Sequence, residues 1–181
     1  NPSGKLSETF PLSVESVPAV NAYRVAGVTR YQEGLDVGYR YFDAYDVPVL
    51  YPFGYGLSYS EFVYKEMRLT AEEDGLRVSC SVENASACDG KETVQVYVRE
   101  CAPLVYRPNK ELKAFSKSEI GAGKAKQFAF RLNGSAFAHW SVAEDRWEIT
   151  DGVYEIFVGA SSQDIRLTGR IAIENGKIIV L

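Results

Sequence analysis

The chain is poor in the residues that most often carry chemistry. Its 181 residues include one histidine. That excludes a metal site built from several histidines and leaves one candidate for a histidine-based triad. Three cysteines, Cys80, Cys88 and Cys101, form no paired C-x-x-C spacing. The usual zinc and redox frameworks are therefore excluded, and no metal is expected. Excess positive charge is also lacking. Twenty Lys and Arg against 24 Asp and Glu leave a net −4, which argues against a nucleic-acid partner. No apolar run approaches the roughly 18–20 residues of a membrane span, and no signal peptide is visible. No membrane partner is expected. A self-contained (β/α)8 enzyme barrel needs about 250 residues and is excluded on length. There is no G-x-S-x-G elbow, and Gly121-Ala-Gly123 precedes a strand pattern, so it is no phosphate loop. The sequence opens Asn-Pro-Ser-Gly without Met, so a native start is expected upstream.

What remains is an ordinary folding composition, 46% hydrophobic and 24% charged, too apolar for a disordered chain. Residues 61–181 read as all-β. Leu76, Val78, Cys80 and Val82 alternate with Arg77, Ser79, Ser81 and Glu83. Val94, Val96 and Val98 alternate with Gln95, Tyr97 and Arg99, and Phe128, Phe130 and Leu132 with Gln127, Ala129 and Arg131. Tyr154, Ile156 and Val158 give a further run, then Ile171 and Ile173. A two-residue period puts one row on a core face and the other toward solvent. Met67, Leu69 and Ala71 supply an earlier strand and Leu112–Ile120 a less regular middle one. Asp74-Gly75, Asp89-Gly90, Asn133-Gly134, Asp151-Gly152 and Asn175-Gly176 read as turns, because these residues tolerate positive φ. Seven or more short strands so spaced predict a two-sheet sandwich.

Residues 1–60 differ in texture. Seven tyrosines and two phenylalanines lie between Tyr31 and Tyr59, among Gly34, Gly38, Gly54, Gly56, Pro48 and Pro52. No helical or strand period persists, so a largely irregular aromatic strap packed on a neighbouring domain is predicted. For residues 14–28 the valines leave a short strand and a loop both open.

The candidate chemical residues are few. His139 and Ser141 are two apart and share a strand face, but no orienting carboxylate or oxyanion hole is visible. A hydrogen-bonded or exposed histidine beside Trp140 is expected. Glu33, Asp36, Asp43 and Asp46 crowd the strap, and glycoside hydrolysis needs a carboxylate pair. Acidic residues between turns are normally solvated, which is the expectation for these four. Tyr97, Trp140 and Trp147 are candidates for a carbohydrate face. A sandwich usually fills its core with tryptophan, so Trp140 and Trp147 are expected to be mostly buried. Asn84-Ala-Ser86 and Asn133-Gly-Ser135 match the glycosylation pattern by coincidence. The cysteines are expected to be three free thiols, which points to a reducing compartment such as the cytoplasm.

Longer motifs carry a resemblance. Asn1-Pro-Ser-Gly-Lys-Leu-Ser-Glu-Thr-Phe-Pro11, Tyr31-x-Glu33-Gly34-x-x-Val37-Gly38-Tyr39-Arg40-Tyr41-Phe42-Asp43 and Pro52-Phe53-Gly54-Tyr55-Gly56-Leu57-Ser58-Tyr59 resemble the end of glycoside hydrolase family 3 β-glucosidases. Arg107-Pro108-x-Lys110-Glu111-Leu112-Lys113-x-Phe115 and Val158-Gly159-x-Ser161-Ser162-x-Asp164-Ile165-Arg166-Leu167 resemble their fibronectin type III-like domain. Ala114 departs from the family's usual Gly. The resemblance implies a fibronectin type III-like, that is immunoglobulin-like, β-sandwich at 61–181. It implies the tail of an α/β sandwich domain and a linker strap at 1–60. Both catalytic carboxylates of such enzymes lie on segments with no counterpart here. The chain alone is therefore expected to be inactive, with no catalytic residue and no cofactor of its own. Its implied partners are the catalytic domains of the same polypeptide and, in the full enzyme, a glucoside or oligosaccharide. Phe53 and Tyr55 are the candidates for lining an outer sugar subsite. From its exposed rings the isolated chain is expected to associate with itself or to fold the strap back over its own sandwich. A carbohydrate-binding module and a protein-interaction sandwich are the alternatives.

Overall fold

The computed structural model describes residues 1–22, 27–28 and 30–181. The strap holds β1 (Phe10–Pro11), α1 (Tyr39–Ala44) and β2 (Val49–Tyr51), and β1 pairs with β2. It is thus less irregular than its sequence predicts. Gly38 at φ 61 turns the chain into α1, which points Phe42 and Asp43 inward. Within 14–28, Val14–Ser16 and Pro18–Asn21 are single 3-10 turns, and Val25 lies outside the described residues.

From Phe62 onward the chain is a sandwich. Its strands are β3 (Phe62–Glu72), β4 (Gly75–Asn84), β5 (Gly90–Glu100), β6 (Glu111–Ile120), β7 (Ala125–Asn133), β8 (His139–Ser141), β9 (Arg146–Glu148), β10 (Gly152–Gly159), β11 (Ile165–Glu174) and β12 (Lys177–Val180). One sheet runs β12-β11-β10-β5-β6 and the other β3-β4-β7, with β8-β9 as a separate ribbon. All the pairings are antiparallel. The core is built from the predicted rows. Leu76, Val78, Cys80 and Val82 meet Val94, Val96, Val98, Tyr154, Ile156, Val158, Ile171 and Ile173.

The strand read at Met67 and Leu69 extends further upstream than its pattern shows, and the turn reading needs correction. β3 changes phase: Phe62 and Tyr64 face inward, and so do Met67 and Leu69. A bulge between Lys65 and Arg68, with Glu66 at φ 56, inserts the extra residue. Of the five turn dipeptides, Asn175-Gly176 has both residues at positive φ, 51 and 72, and joins β11 to β12 at the pair Glu174↔Lys177. Gly75 and Gly90 instead open strands. There glycine meets a close approach: a Cβ on Gly75 would run into the Leu132 carbonyl, and one on Gly90 would stand 2.6 Å from Ser60 Oγ.

Candidate functional site at the strap and sandwich junction

β5 is buried on both faces. Val94, Val96 and Val98 face the core, yet Gln95 and Tyr97 on the opposite row are buried as well. The alternation therefore misplaces that row. The strap lies over it. Gln95 Nε2 donates to the Gly54 carbonyl (3.2 Å) and to the Ala160 carbonyl (2.7 Å), while Tyr97 OH donates to Gln95 Oε1 (2.6 Å). Tyr39 packs edge-on against Tyr97 and stacks on Phe53, with centroids 4.6 Å apart. Its hydroxyl accepts the Leu112 N–H at 2.8 Å. Burial raises the pKa of the Tyr39 phenol, so it stays neutral.

Charged pairs fasten the same junction. Lys110 Nζ lies 3.0 Å from Asp43 Oδ2, with Asp43 buried and Lys110 half-buried. The pair is out of hydrogen-bond alignment, because that oxygen has no hydrogen-bond partner. Its attraction is Coulombic. Gln163 Nε2 donates to Asp43 Oδ1, and Asn109 Nδ2 to the Asp43 carbonyl, each at 3.0 Å. Arg40 pairs with Glu111 at 2.9 Å. Lys5 reaches Glu92 at 3.3 Å, and Tyr64 OH donates to the same carboxylate at 2.8 Å. Ser162 N–H donates to the Phe53 carbonyl at 2.9 Å. Arg107, on the loop that leads into β6, pairs with Glu100 at 2.8 Å and caps the Phe137 carbonyl at 2.9 Å.

The sequence candidates fall as follows. Asp36 and Asp43 are buried rather than solvated, Glu33 is half-buried, and Asp46 is exposed. Folding α1 onto β6 takes Asp43 out of water, and its pair with Lys110 offsets the cost. Phe53 is half-buried on Tyr39, and Tyr55 stacks on Tyr51 at 4.9 Å. Trp140 and Trp147 are not core fillers: they are 48% and 68% exposed. They sit on the β8–β9 ribbon, outside both sheets. Phe137 takes the core position instead, edge-on to Tyr154. The two indoles cross at 80°, so they form no flat platform for a sugar ring. Tyr97 is fully buried and presents no face to solvent. His139 is half-buried with Nδ1 unpartnered, and Ser141 Oγ accepts the Glu144 N–H at 3.3 Å. Both line a cleft of about 850 Å³ with Arg40, Tyr106, Trp140 and Trp147. Asn84 is fully buried and donates to the Cys88 and Ile120 carbonyls, so it is no glycan acceptor. The three thiols are free, and burial pushes Cys80 up to about 11.

Sequence reasoning missed Gln95, Lys110 and Gln163. A polar residue amid valines, Val94-Gln95-Val96, was the available signal for the first.

Comparison with known proteins fits this architecture. A fibronectin type III-like domain model matches residues 92–162. The solved GH3 β-glucosidase of Bifidobacterium adolescentis superposes with a TM-score of 0.92 at 38% identity. The match covers 99% of this chain and 27% of that one. The chain belongs to glycoside hydrolase family 3, as its C-terminal region. Among the relatives, thermostable beta-glucosidase B of Acetivibrio thermocellus is 38% identical over 180 residues, 97% of this chain and 24% of its own length. An exo-alpha-(1->6)-L-arabinopyranosidase of Bifidobacterium longum is 41% identical over 176 residues, 96% of this chain and 23% of its own length. The chain thus spans about a quarter of these curated relatives. The likeness includes the strap as well as the sandwich.

Proposed function

We propose that this chain holds domains together in a β-glucosidase-like glycoside hydrolase and takes no part in bond cleavage. The observation that carries this reading is the assembly of three separate segments into one junction. Strap residues Tyr39, Arg40 and Asp43 meet Lys110, Glu111 and Leu112 of the loop and β6, and Gln163 of the loop before β11. The charged side chains at this junction are spent on structural pairing. In this reading residues 1–60 are the tail of an α/β domain and its strap, and 61–181 are the sandwich. The partner is the catalytic part of the same enzyme, and its substrate is a glucoside or oligosaccharide.

Phe53 and Tyr55 border an outer sugar subsite in this proposal. Tyr55 supports it by stacking on Tyr51, which packs edge-on against Phe10, and both of those rings are exposed. In the whole enzyme, Phe53→Ala and Tyr55→Ala should raise KM for longer oligosaccharides and leave turnover of a short aryl glucoside unchanged. Unchanged KM in both variants would remove the subsite from the reading. Hydrolysis of an aryl β-glucoside by the 181-residue chain alone would remove the structural role.

A further inference from the structure

A turn in the strap holds two buried carboxylate oxygens without partners. Glu33 and Asp36 close a tight turn in which Asp36 N–H donates to the Glu33 carbonyl at 2.9 Å, and Gly34 adopts φ 57. Asp36 is 5% exposed. Its Oδ2 accepts the hydroxyls of Tyr45, at 3.2 Å, and Tyr106. Its Oδ1 is buried and has no hydrogen-bond partner among the described residues, and the same holds for Glu33 Oε2. Both residues line one small cavity of about 140 Å³, together with Gln32, Tyr41 and Tyr45.

A buried carboxylate oxygen left unpaired is costly, and two carboxylates in one turn add mutual repulsion. Among the described residues, no lysine or arginine forms an ion pair with either carboxylate. Arg40 is on Glu111, and Lys110 is on Asp43. The tyrosines cannot balance the charge. Tyr45 and Tyr106 are neutral hydroxyl donors. A positive ion would relieve both costs. The donor atoms are all oxygens, and neither imidazole nor thiolate lines the cavity, which suits a hard cation. At roughly 30 Å³ per water, the cavity has room for an ion and a few waters.

We propose that Glu33 and Asp36 bind one hard divalent cation of the calcium class, with water completing its shell. Tyr45 and Tyr106, bonded to Asp36, supply an optical antenna. Terbium(III) titrated into the chain under tyrosine excitation should give saturable luminescence that calcium displaces. Glu33→Gln should weaken terbium affinity about tenfold or more while the far-ultraviolet dichroism stays unchanged. Glu33 receives no tyrosine hydroxyl, so this variant spares the Asp36 network. Asp36→Asn is the second variant and should also lose binding. No saturable luminescence in the wild type, or wild-type affinity in Glu33→Gln and in Asp36→Asn, would overturn the site.

Discussion

Asp43 shows how much a single side chain holds. Its carboxylate faces Lys110, its second oxygen accepts from Gln163, and its carbonyl accepts from Asn109. Asn109 in turn accepts from Arg99 at 3.0 Å. Removing one partner of a buried pair leaves the other charge uncompensated. Asp43→Ala should therefore cost about 3 kcal/mol, measured by urea denaturation. Asp43 was legible as part of a motif, but its burial was not, because no local pattern announces a partner 67 residues away. Glu155 gives the chain an acid limit. Burial raises its pKa, but hydrogen bonds from Arg170 and Arg99 outweigh that and hold it below the ordinary carboxylate value. A depressed folded pKa stabilises the protein above about pH 4.5, the ordinary glutamate value. That stability is lost as pH falls through the lower, folded value. The urea midpoint should drop between pH 5 and 3, and Glu155→Gln should flatten part of the drop.

At the scale of elements, the rows of β4, β7, β10 and β11 were readable, because one covered face produces a clean period of two. β5 was half readable. Its second face is closed by a distant segment, and alternation reports only that a face exists, never what lies on it. The β8–β9 ribbon was misread for a related reason. Tryptophan suits either a core or an interface, and composition does not choose between them. One glycine of the strap meets β5 at close range. Gly54 has φ 80, and a Cβ there would come within 2.8 Å of the Gln95 amide carbon. Gly54→Ala should cost about 2 kcal/mol through strain and displacement of Gln95. Limited proteolysis should then cut residues 1–60 faster than in the wild type, with the sandwich left intact.

At the scale of the whole molecule, large exposed apolar side chains gather on the strap and its neighbours. Tyr31 is 86% exposed and Tyr59 80%, and Leu35, Val37, Leu50 and Leu57 are exposed around them. Val105, Tyr106, Trp140 and Trp147 are exposed too and line one cleft with Leu35. Such a surface seeks cover. Light scattering of the isolated chain should show mass rising with concentration, and monodisperse monomer throughout would refute this.

The bulge in β3 bears on what form that association takes. β3 is an edge strand of its sheet, and a straight edge offers unpaired N–H and C=O groups to any passing strand. Glu66 breaks the ladder in the middle of that edge and increases its local twist. A second molecule laid along β3 would lose register after a few residues. Copies joined through their rings would then form small soluble clusters rather than a growing fibril.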